Sequence, residues 1–425
     1  MNTPLKAPLI VSGFIANHDQ PPFPGSVRIN RETGLIESIG FFNEHADIKG
    51  NFLIFPGFVD IHVHGREDTT GRGNHKEDFH TLSAAAYNGG VVAAACMPNT
   101  PRPPTTEDVY EEIAALAAKA PLDILLYGGI AHDSRPFQRP VPYKGFLAES
   151  VGGLRFDSAA EAKATLRHYS GKHVSLHCDD TQILEINEVK TAHEDRRPAE
   201  SEIEGIRLAI DMAEEFKFFL KVVHVSTREG LRLIKAARIR GTPVATEGTP
   251  HHAFFDRTML DETNAPWLRM NPPLRLPDDR YAILQGLKMK DVQYLATDHA
   301  PHTKAEKLSP AGISGVPHLD TFGAFTTWLM AEQAFEPEDI ARVASFNPGA
   351  WFNRFIVREG NGLGFGKVSP GFIGSLTLID MQTPTTVEEK KLKTRCGWSP
   401  FTGLTFPGSV AYTIARGEIV KEPTK

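Results

Sequence analysis

The chain has 425 residues, a formal net charge of −6, and 41% apolar and 23% charged residues. That length buries a large core, enough for a barrel-sized domain and a smaller one. The acidic balance gives no electrostatic case for nucleic-acid binding, and no uninterrupted apolar run is long enough to span a bilayer. The segment Met1 to Pro8 lacks the apolar core of a signal peptide. Three scattered cysteines, Cys96, Cys178 and Cys396, point to a reducing compartment and no disulfide framework. The expected location is the cytoplasm.

Residues 1 to 50 read as short strands and turns. Leu9–Ala16 and Gly34–Gly40 are expected strands, with Pro21, Pro22, Pro24 and Gly25 marking a turn. From residue 52 short apolar runs alternate with helical patterns. The expected strands are Leu53–Ile61, Val91–Met97, Ile124–Ile130, His173–His177, Leu220–Val225, Val244–Glu247 and Tyr294–Thr297. The expected helices are Asp78–Asn88, Thr106–Lys119, Ala159–Tyr169, Ser201–Phe216 and Arg228–Ala237. Such alternation implies a parallel sheet covered by helices. It suits an α/β fold of the (β/α)₈ TIM-barrel type better than an open two-domain sheet. From Gly364 the chain returns to strands and turns, Gly374–Asp380 and Ser409–Val420. The expected organisation is a barrel over 52–363 and a small β-sandwich built from both ends, 1–51 and 364–425.

In such a barrel, catalytic residues sit at the carboxyl ends of strands. His62 and His64 alternate along an extended run, so both reach one point in space, and neutral imidazole is the commonest metal ligand. His177 closes Val-Ser-Leu-His, His224 lies in Lys-Val-Val-His, and Asp298 closes Tyr-Leu-Ala-Thr-Asp. Taken singly, each histidine is more readily a satisfied core residue, and Asp298 a helix N-cap. Four strand ends carrying His or Asp are not explained that way. The set has the ligand count for two divalent ions, which nitrogen and oxygen donors suit.

These residues carry a family resemblance. The ligand set stands with His-Val-His-Gly-Arg (62–66), Met-Pro-Asn-Thr (97–100), Pro-His-His (250–252), Asn-Pro-Pro-Leu-Arg (271–275), Ala-Thr-Asp-His-Ala-Pro-His (296–302) and Cys-Gly-Trp-Ser-Pro-Phe-Thr-Gly (396–403). Together they resemble the amidohydrolase superfamily, and within it the longer-chain dihydroorotase family. The resemblance implies reversible hydrolysis of the cyclic amide of dihydroorotate to N-carbamoyl-aspartate, a step of de novo pyrimidine synthesis. It implies two divalent ions, expected to be zinc, one held by His62, His64 and Asp298 and the other by His177 and His224. A carboxylated lysine bridges them. Lys144 and Arg155 compete for that position. Lys144 fits the family pattern without a gap, and carboxylation needs a deprotonated amine, which arginine does not supply. Pro140 and Pro142 argue against the regular strand the family has before this lysine.

The resemblance also makes Asp298 the proton carrier and assigns the substrate carboxylate to Arg66, Asn99 and His302. Asn271 is an expected ring contact. Arg66 suits its part because a guanidinium clamps a carboxylate with two parallel bonds. His251, His252 and His299 receive no role. Thr303–Thr321, rich in Gly, Ser and Pro, reads as a mobile loop over the site. The expected partner is a small-molecule substrate, with neither nucleic acid nor membrane, and a homodimer is left open. An allantoinase or hydantoinase-like enzyme would share the metal ligands, but Arg66 and Asn99 favour a carboxylate-bearing ring. A non-catalytic homologue scaffolding aspartate transcarbamoylase is disfavoured because every ligand candidate is retained.

Overall fold

The computed structural model describes residues 6–149, 154–356 and 362–423. The chain opens with β1 (Leu9–Asn17), β2 (Gln20–Asn30), β3 (Leu35–Gly40) and β4 (Ile48–Pro56). β1 pairs antiparallel with β2 and parallel with β4. Pro21, Pro22, Pro24 and Gly25 lie inside β2 and form no turn; the turn falls at His18 and Asp19. The reason is local. β3 pairs with β2 only from Ser26 onward, so one edge of residues 20–25 carries no ladder, and a proline there removes no strand–strand bond.

The run expected as one strand, Leu53–Ile61, is two strands in two sheets. β4 stays with the N-terminal sheet, and β5 (Phe58–Val63) begins the barrel. Gly57 separates them. A Cβ there would lie 2.4 Å from Val92 Cγ2, so the crossing chain fits only as glycine. The barrel continues with β6 (Val91–Cys96), β7 (Asp123–Leu126), β8 (Gly128–Gly129), β9 (Tyr143–Phe146), β10 (His173–His177), β11 (Phe219–Val222), β12 (Val244–Gly248) and β13 (Tyr294–Leu295). All paired neighbours among them are parallel. β7 and β8 form one stave interrupted at Tyr127, which makes eight. The ring closes where Val63 bridges His299 and the His64 N–H donates to the His299 carbonyl at 2.8 Å.

β9 contains Lys144 and pairs on both sides, Lys144 facing Gly129 and Ser175. Pro140 and Pro142 precede this strand without entering it, so they do not break it. β11 and β13 are shorter than expected, which leaves His224 and Asp298 just beyond their strands. The expected helices fall at Phe79–Asn88, Glu107–Ala117, Ala159–Leu166, Ala199–Phe216 and Arg228–Ile239. Asp78, Thr106, Ser158 and Thr227 cap four of them through side-chain oxygens that accept backbone N–H bonds. Pro277–Lys288 and Phe322–Glu332 are further helices.

Beyond the barrel come β14 (Leu376–Asp380), β15 (Ser409–Ala415) and β16 (Glu418–Lys421). The run expected as one strand, Ser409–Val420, is a hairpin that turns at Gly417, where φ is +81°. Both chain ends build one seven-stranded sheet, ordered β16-β15-β14-β4-β1-β2-β3. They share a core that includes Val11, Ile15, Ile54, Leu376 and Ile414. Among the described residues, no helix is long and apolar enough to cross a membrane.

The end of the first barrel helix approaches the segment after the barrel closely: a Cβ on Gly89 would lie 1.7 Å from the Leu319 carbonyl oxygen. That contact is backbone and cannot yield as a side chain does. Gly89→Ala should therefore destabilise the protein by at least the roughly 1–3 kcal/mol of ordinary overpacking. Urea denaturation measures it, and a wild-type midpoint would show that the helix end does not pack this way.

Candidate functional site

The carboxyl ends of the barrel strands converge on one cavity, lined by His62, His64, Arg66, Asn99, Lys144, Phe146, His177, His224, Asn271, Asp298, Ala300, Ser314 and Gly315. Of the metal- and substrate-binding residues expected from the sequence, only His302 lies outside this lining; Arg155, the alternative to Lys144, is also outside it. His62 comes from β5, Asn99 from the turn after β6, Lys144 from β9, His177 from the end of β10, and His224 and Asp298 from just past β11 and β13.

The inner group is built from hydrogen-bond chemistry. His62 Nδ1 bonds Glu247 Oε1, and His64 Nδ1 lies 2.6 Å from Asn99 Oδ1. With Nδ1 of each ring turned to those oxygens, both rings aim Nε2 at Asp298 Oδ1, 3.1 Å away in each case, and a neutral ring that donates from Nδ1 has only a lone pair there. Lone pairs facing a carboxylate oxygen repel unless a cation or proton stands between them. Ligand atoms of His62, His224 and Asp298 lie within 4.8 Å of one another. His177 Nδ1 lies 2.9 Å from His224 Nε2, and the buried His224 Nδ1 has no hydrogen-bond partner. Convergent nitrogen and oxygen donors with an orphaned buried imidazole nitrogen fit a divalent metal ion.

The electrostatics agree. Burial drives His64 down to about 4 and lowers His177 and His224, so these imidazoles are neutral, the form that binds metal. Burial would also lower His62, but the carboxylates of Glu247 and Asp298 outweigh it and raise its pKa. Asp298 is held well below the usual carboxylate range by His62 and His64 despite its burial. Burial pushes Lys144 down to about 7. Its Nζ sits 3.6 Å over the Phe146 ring and 3.2 Å from the Gly145 carbonyl. Arg155, the competing basic residue, is ion-paired to Glu149 at 2.7 Å and half exposed.

Arg66 is buried beside the inner group, its Nε donating to the Pro301 carbonyl at 3.3 Å and its Nη2 to His302 Nε2 at 3.1 Å. His302 therefore stands behind Arg66; burial and the Arg66 and Lys76 cations keep its ring neutral. Asn271 Oδ1 is buried at the cavity wall with no partner. The Thr303–Thr321 segment is better anchored than its composition suggests. The Lys307 ammonium donates to the carbonyls of Arg269, Ile313 and Gly315 at 2.8–3.0 Å, holding Ser314 and Gly315 against the site.

Sequence reasoning missed the carboxylates behind the histidines. Glu247, at the end of β12, bonds His62. Asp179 lies 3.0 Å from His177 Nε2, accepts from Ser201 Oγ at 2.8 Å, and pairs with Arg197 at 2.5 Å. The signal was an acidic residue at or just past a strand end, which is indistinguishable in sequence from a helix cap. His251, His252 and His299 bond inward. His251 Nδ1 meets His318 at 2.9 Å, His252 lies between Thr249 and the Pro272 carbonyl, and His299 bonds Glu77 at 3.2 Å.

The model of the Amidohydrolase family matches residues 53–420. Curated relatives include the dihydroorotase of Staphylococcus epidermidis, 31% identical over 94% of this chain and 93% of its own length. Another is the dihydroorotase of Pyrococcus abyssi, 32% identical over 87% and 84%. The dihydroorotase of Bacillus subtilis is 29% identical over 97% and 98%. Among solved structures, the L-hydantoinase (dihydropyrimidinase) of Arthrobacter aurescens superposes with a TM-score of 0.88 at 22% identity, covering 99% of this chain and 97% of that one. The D-hydantoinase of a Thermus species superposes with a TM-score of 0.81 at 22% identity, covering 98% and 95%.

Burial alone would raise the pKa of Asp179, but Arg197 and His177 hold it far below the usual range. A carboxylate depressed in the folded state contributes stability that is fully present above its unfolded pKa of about 4 and is lost as pH falls below it. Asp179→Asn should therefore lower the stability of the metal-free protein at pH 7. It should also flatten the fall in stability between about pH 5 and 3. Chemical denaturation across that range tests this; an unchanged acid limb would mean that the Asp179 charge is not what holds Arg197 and His177.

Proposed function

The chain belongs to the amidohydrolase family, and from that premise we propose that it is a dihydroorotase, opening the cyclic amide of dihydroorotate reversibly to N-carbamoyl-aspartate. The observation that carries the reading is the buried Arg66 guanidinium on the wall of the histidine–aspartate cavity, with Asn99 beside it. A buried cation in a small-molecule pocket calls for an anionic group on the ligand, and dihydroorotate carries a carboxylate where hydantoin has none. The curated relatives are dihydroorotases. The hydantoinase structures, at 22% identity, speak to fold and leave the substrate open.

In this reading His62, His64 and Asp298 would hold one divalent ion and His177 and His224 the other, carboxylated Lys144 would supply a further negative ligand, and the metal would be zinc. When bound, such ions acidify the attacking water and polarise the scissile carbonyl. The protein's own groups do the rest. Asp298 takes a proton from the water and returns it to the departing ring nitrogen. Arg66, Asn99 and His302, the last acting through Arg66, fix the substrate carboxylate so that the carbonyl lies over the metal residues. Asn271, with a buried oxygen lacking a partner, meets the ring N–H. Lys144, brought down to about 7 by burial, offers the free amine that carboxylation requires. The division of the chain into a barrel and a sandwich of both ends, with the first boundary at Gly57 and not at residue 51 because β4 stays whole in the N-terminal sheet, and a cytoplasmic location with three buried free thiols belong to the same reading.

Arg66→Lys keeps the charge and loses the planar fork. Charge-assisted bonds contribute about 1.5–3 kcal/mol, so kcat/KM for dihydroorotate should fall roughly 10–100-fold with metal content unchanged. If the unmutated protein turns over hydantoin faster than dihydroorotate, the substrate assignment fails.

Lys144→Ala should lower metal occupancy and nearly abolish turnover, and short-chain carboxylic acids at high concentration should restore part of the rate. Arg155→Ala should change neither occupancy nor rate. Elemental analysis alongside the assay reads both; two tightly held ions and a normal rate in Lys144→Ala would place the bridge elsewhere.

A further inference from the structure

Behind the metal residues, inside the barrel, lies a buried charged group that no step above uses. Glu247 and Lys221 are 0% and 4% exposed, and Lys221 Nζ lies 2.7 Å from Glu247 Oε2. The ammonium also donates to Tyr127 Oη at 2.9 Å, and Tyr127 in turn donates to the Ile61 carbonyl at 2.8 Å. The other carboxylate oxygen does two jobs. Glu247 Oε1 accepts from the His62 ring at Nδ1 and from the His224 backbone N–H at 3.2 Å. His224 has φ +36°, a conformation that L residues avoid unless their surroundings impose it.

We propose that Glu247 is a positioning residue that sets two metal-site histidines at once, with Lys221 as its counter-charge. The inference rests on the metal reading above. His62 and His224 come from staves that are not neighbours, β5 and β11, and no ladder bond joins them. One oxygen of a rigid carboxylate fixes the tautomer and ring orientation of the first and the backbone turn of the second. A carboxylate behind a ligating histidine also makes the imidazole a stronger donor. Glu247 could not stay ionised at this depth alone, because an unpaired buried carboxylate takes up a proton. Lys221 prevents that, and Tyr127 and the barrel wall hold Lys221. The alternative is a buried ion pair that only fills the barrel interior.

The two roles separate when metal affinity and fold stability are measured apart. The full chain is stripped of metal, Zn²⁺ is titrated in competition with a chromophoric chelator, and thermal unfolding of the metal-free protein is followed in parallel. The double variant Glu247→Gln, Lys221→Met removes both charges and keeps the shape. It should bind Zn²⁺ about 10–100-fold more weakly, the usual cost of losing such a carboxylate, while the metal-free Tm stays close to wild type. Affinity within twofold of wild type would overturn the proposal. Glu247→Asp keeps the charge and withdraws the oxygen, so it should also weaken Zn²⁺ binding; wild-type affinity there overturns the proposal even if the double variant does not fold. Tyr127→Phe removes the hydroxyl that braces Lys221 and bonds the Ile61 carbonyl but leaves the bonds of Glu247 to His62 and His224 intact, so it should lower the metal-free Tm without changing affinity. An equal loss of affinity in Tyr127→Phe would assign the effect to general packing and overturn the proposal. If the wild-type chain itself fails to bind Zn²⁺, the metal reading falls and this inference falls with it. Normal wild-type binding with unaffected variants removes this inference alone.

Discussion

The mouth of the barrel depends on the seam where its first and last staves meet. β13 has two residues, too few for ladder bonds alone to close the ring. Side chains complete the closure. The buried Asp60 carboxylate accepts from the Thr297 backbone N–H at 3.2 Å, from the Thr297 hydroxyl, and from the His62 N–H at 3.1 Å. Burial pushes this carboxyl up to about 6, so the donors around it are needed to hold a charge there. The seam joins residues more than two hundred positions apart and sets His62 and His64 beside Asp298. Without it the inner group would be two half-sites on unconnected strands.

Around that seam the protein buries charge in paired form. Glu247 has Lys221, Asp179 has Arg197, and Glu202 has Arg275 together with the Ser226 and Thr227 N–H groups. A buried ion pair is weak evidence for stability, because desolvation offsets most of the attraction. Its use here is local. Two of the carboxylates stand directly behind a histidine of the inner group, and each is held in place by its cation. The histidines themselves are mostly driven neutral by burial, so their nitrogens remain lone-pair donors. The negative charge that would attract a cation is concentrated on Asp298, inside the ring of imidazoles.

Much of this was legible in sequence because strands and metal ligation share a simple geometry. Alternation put His62 and His64 on one face, and the recurrence of His or Asp at strand ends marked the shared mouth of a barrel. What escaped had physical causes. β9 is four residues long and follows two prolines, so its pattern is drowned by its neighbours. The join at Gly57 is invisible as a break, since apolar residues continue through it and only the packing of Val92 demands glycine. The prolines of β2 look like a turn because their unpaired edge is a property of the sheet. Glu247 and Asp179 were unremarkable because the partners that give them meaning, His62 and Arg197, come from other elements.

The backbone of the site completes the argument. Arg66, His224 and Asp298 all adopt positive φ, at +58°, +36° and +48°. Among the described residues, the other non-glycine residues with positive φ lie in turns or just past helix ends. Each strained residue stands two or three positions past a strand, where a left-handed step turns the chain and aims the side chain back over the barrel mouth. Glycine would remove the strain, but it carries no ligand or guanidinium. Such conformations cost of order 1–3 kcal/mol apiece and persist only where the surroundings over-determine them. Together that is comparable to the whole stability of a typical domain, about 5–15 kcal/mol. The over-determination is visible: Glu247 holds the His224 N–H, the Pro301 carbonyl holds Arg66 Nε, and two imidazoles face Asp298 Oδ1. The strain and the groups that hold it therefore form one unit, in which the rigidity of the barrel end is what allows polar side chains to be presented in conformations they would not otherwise keep.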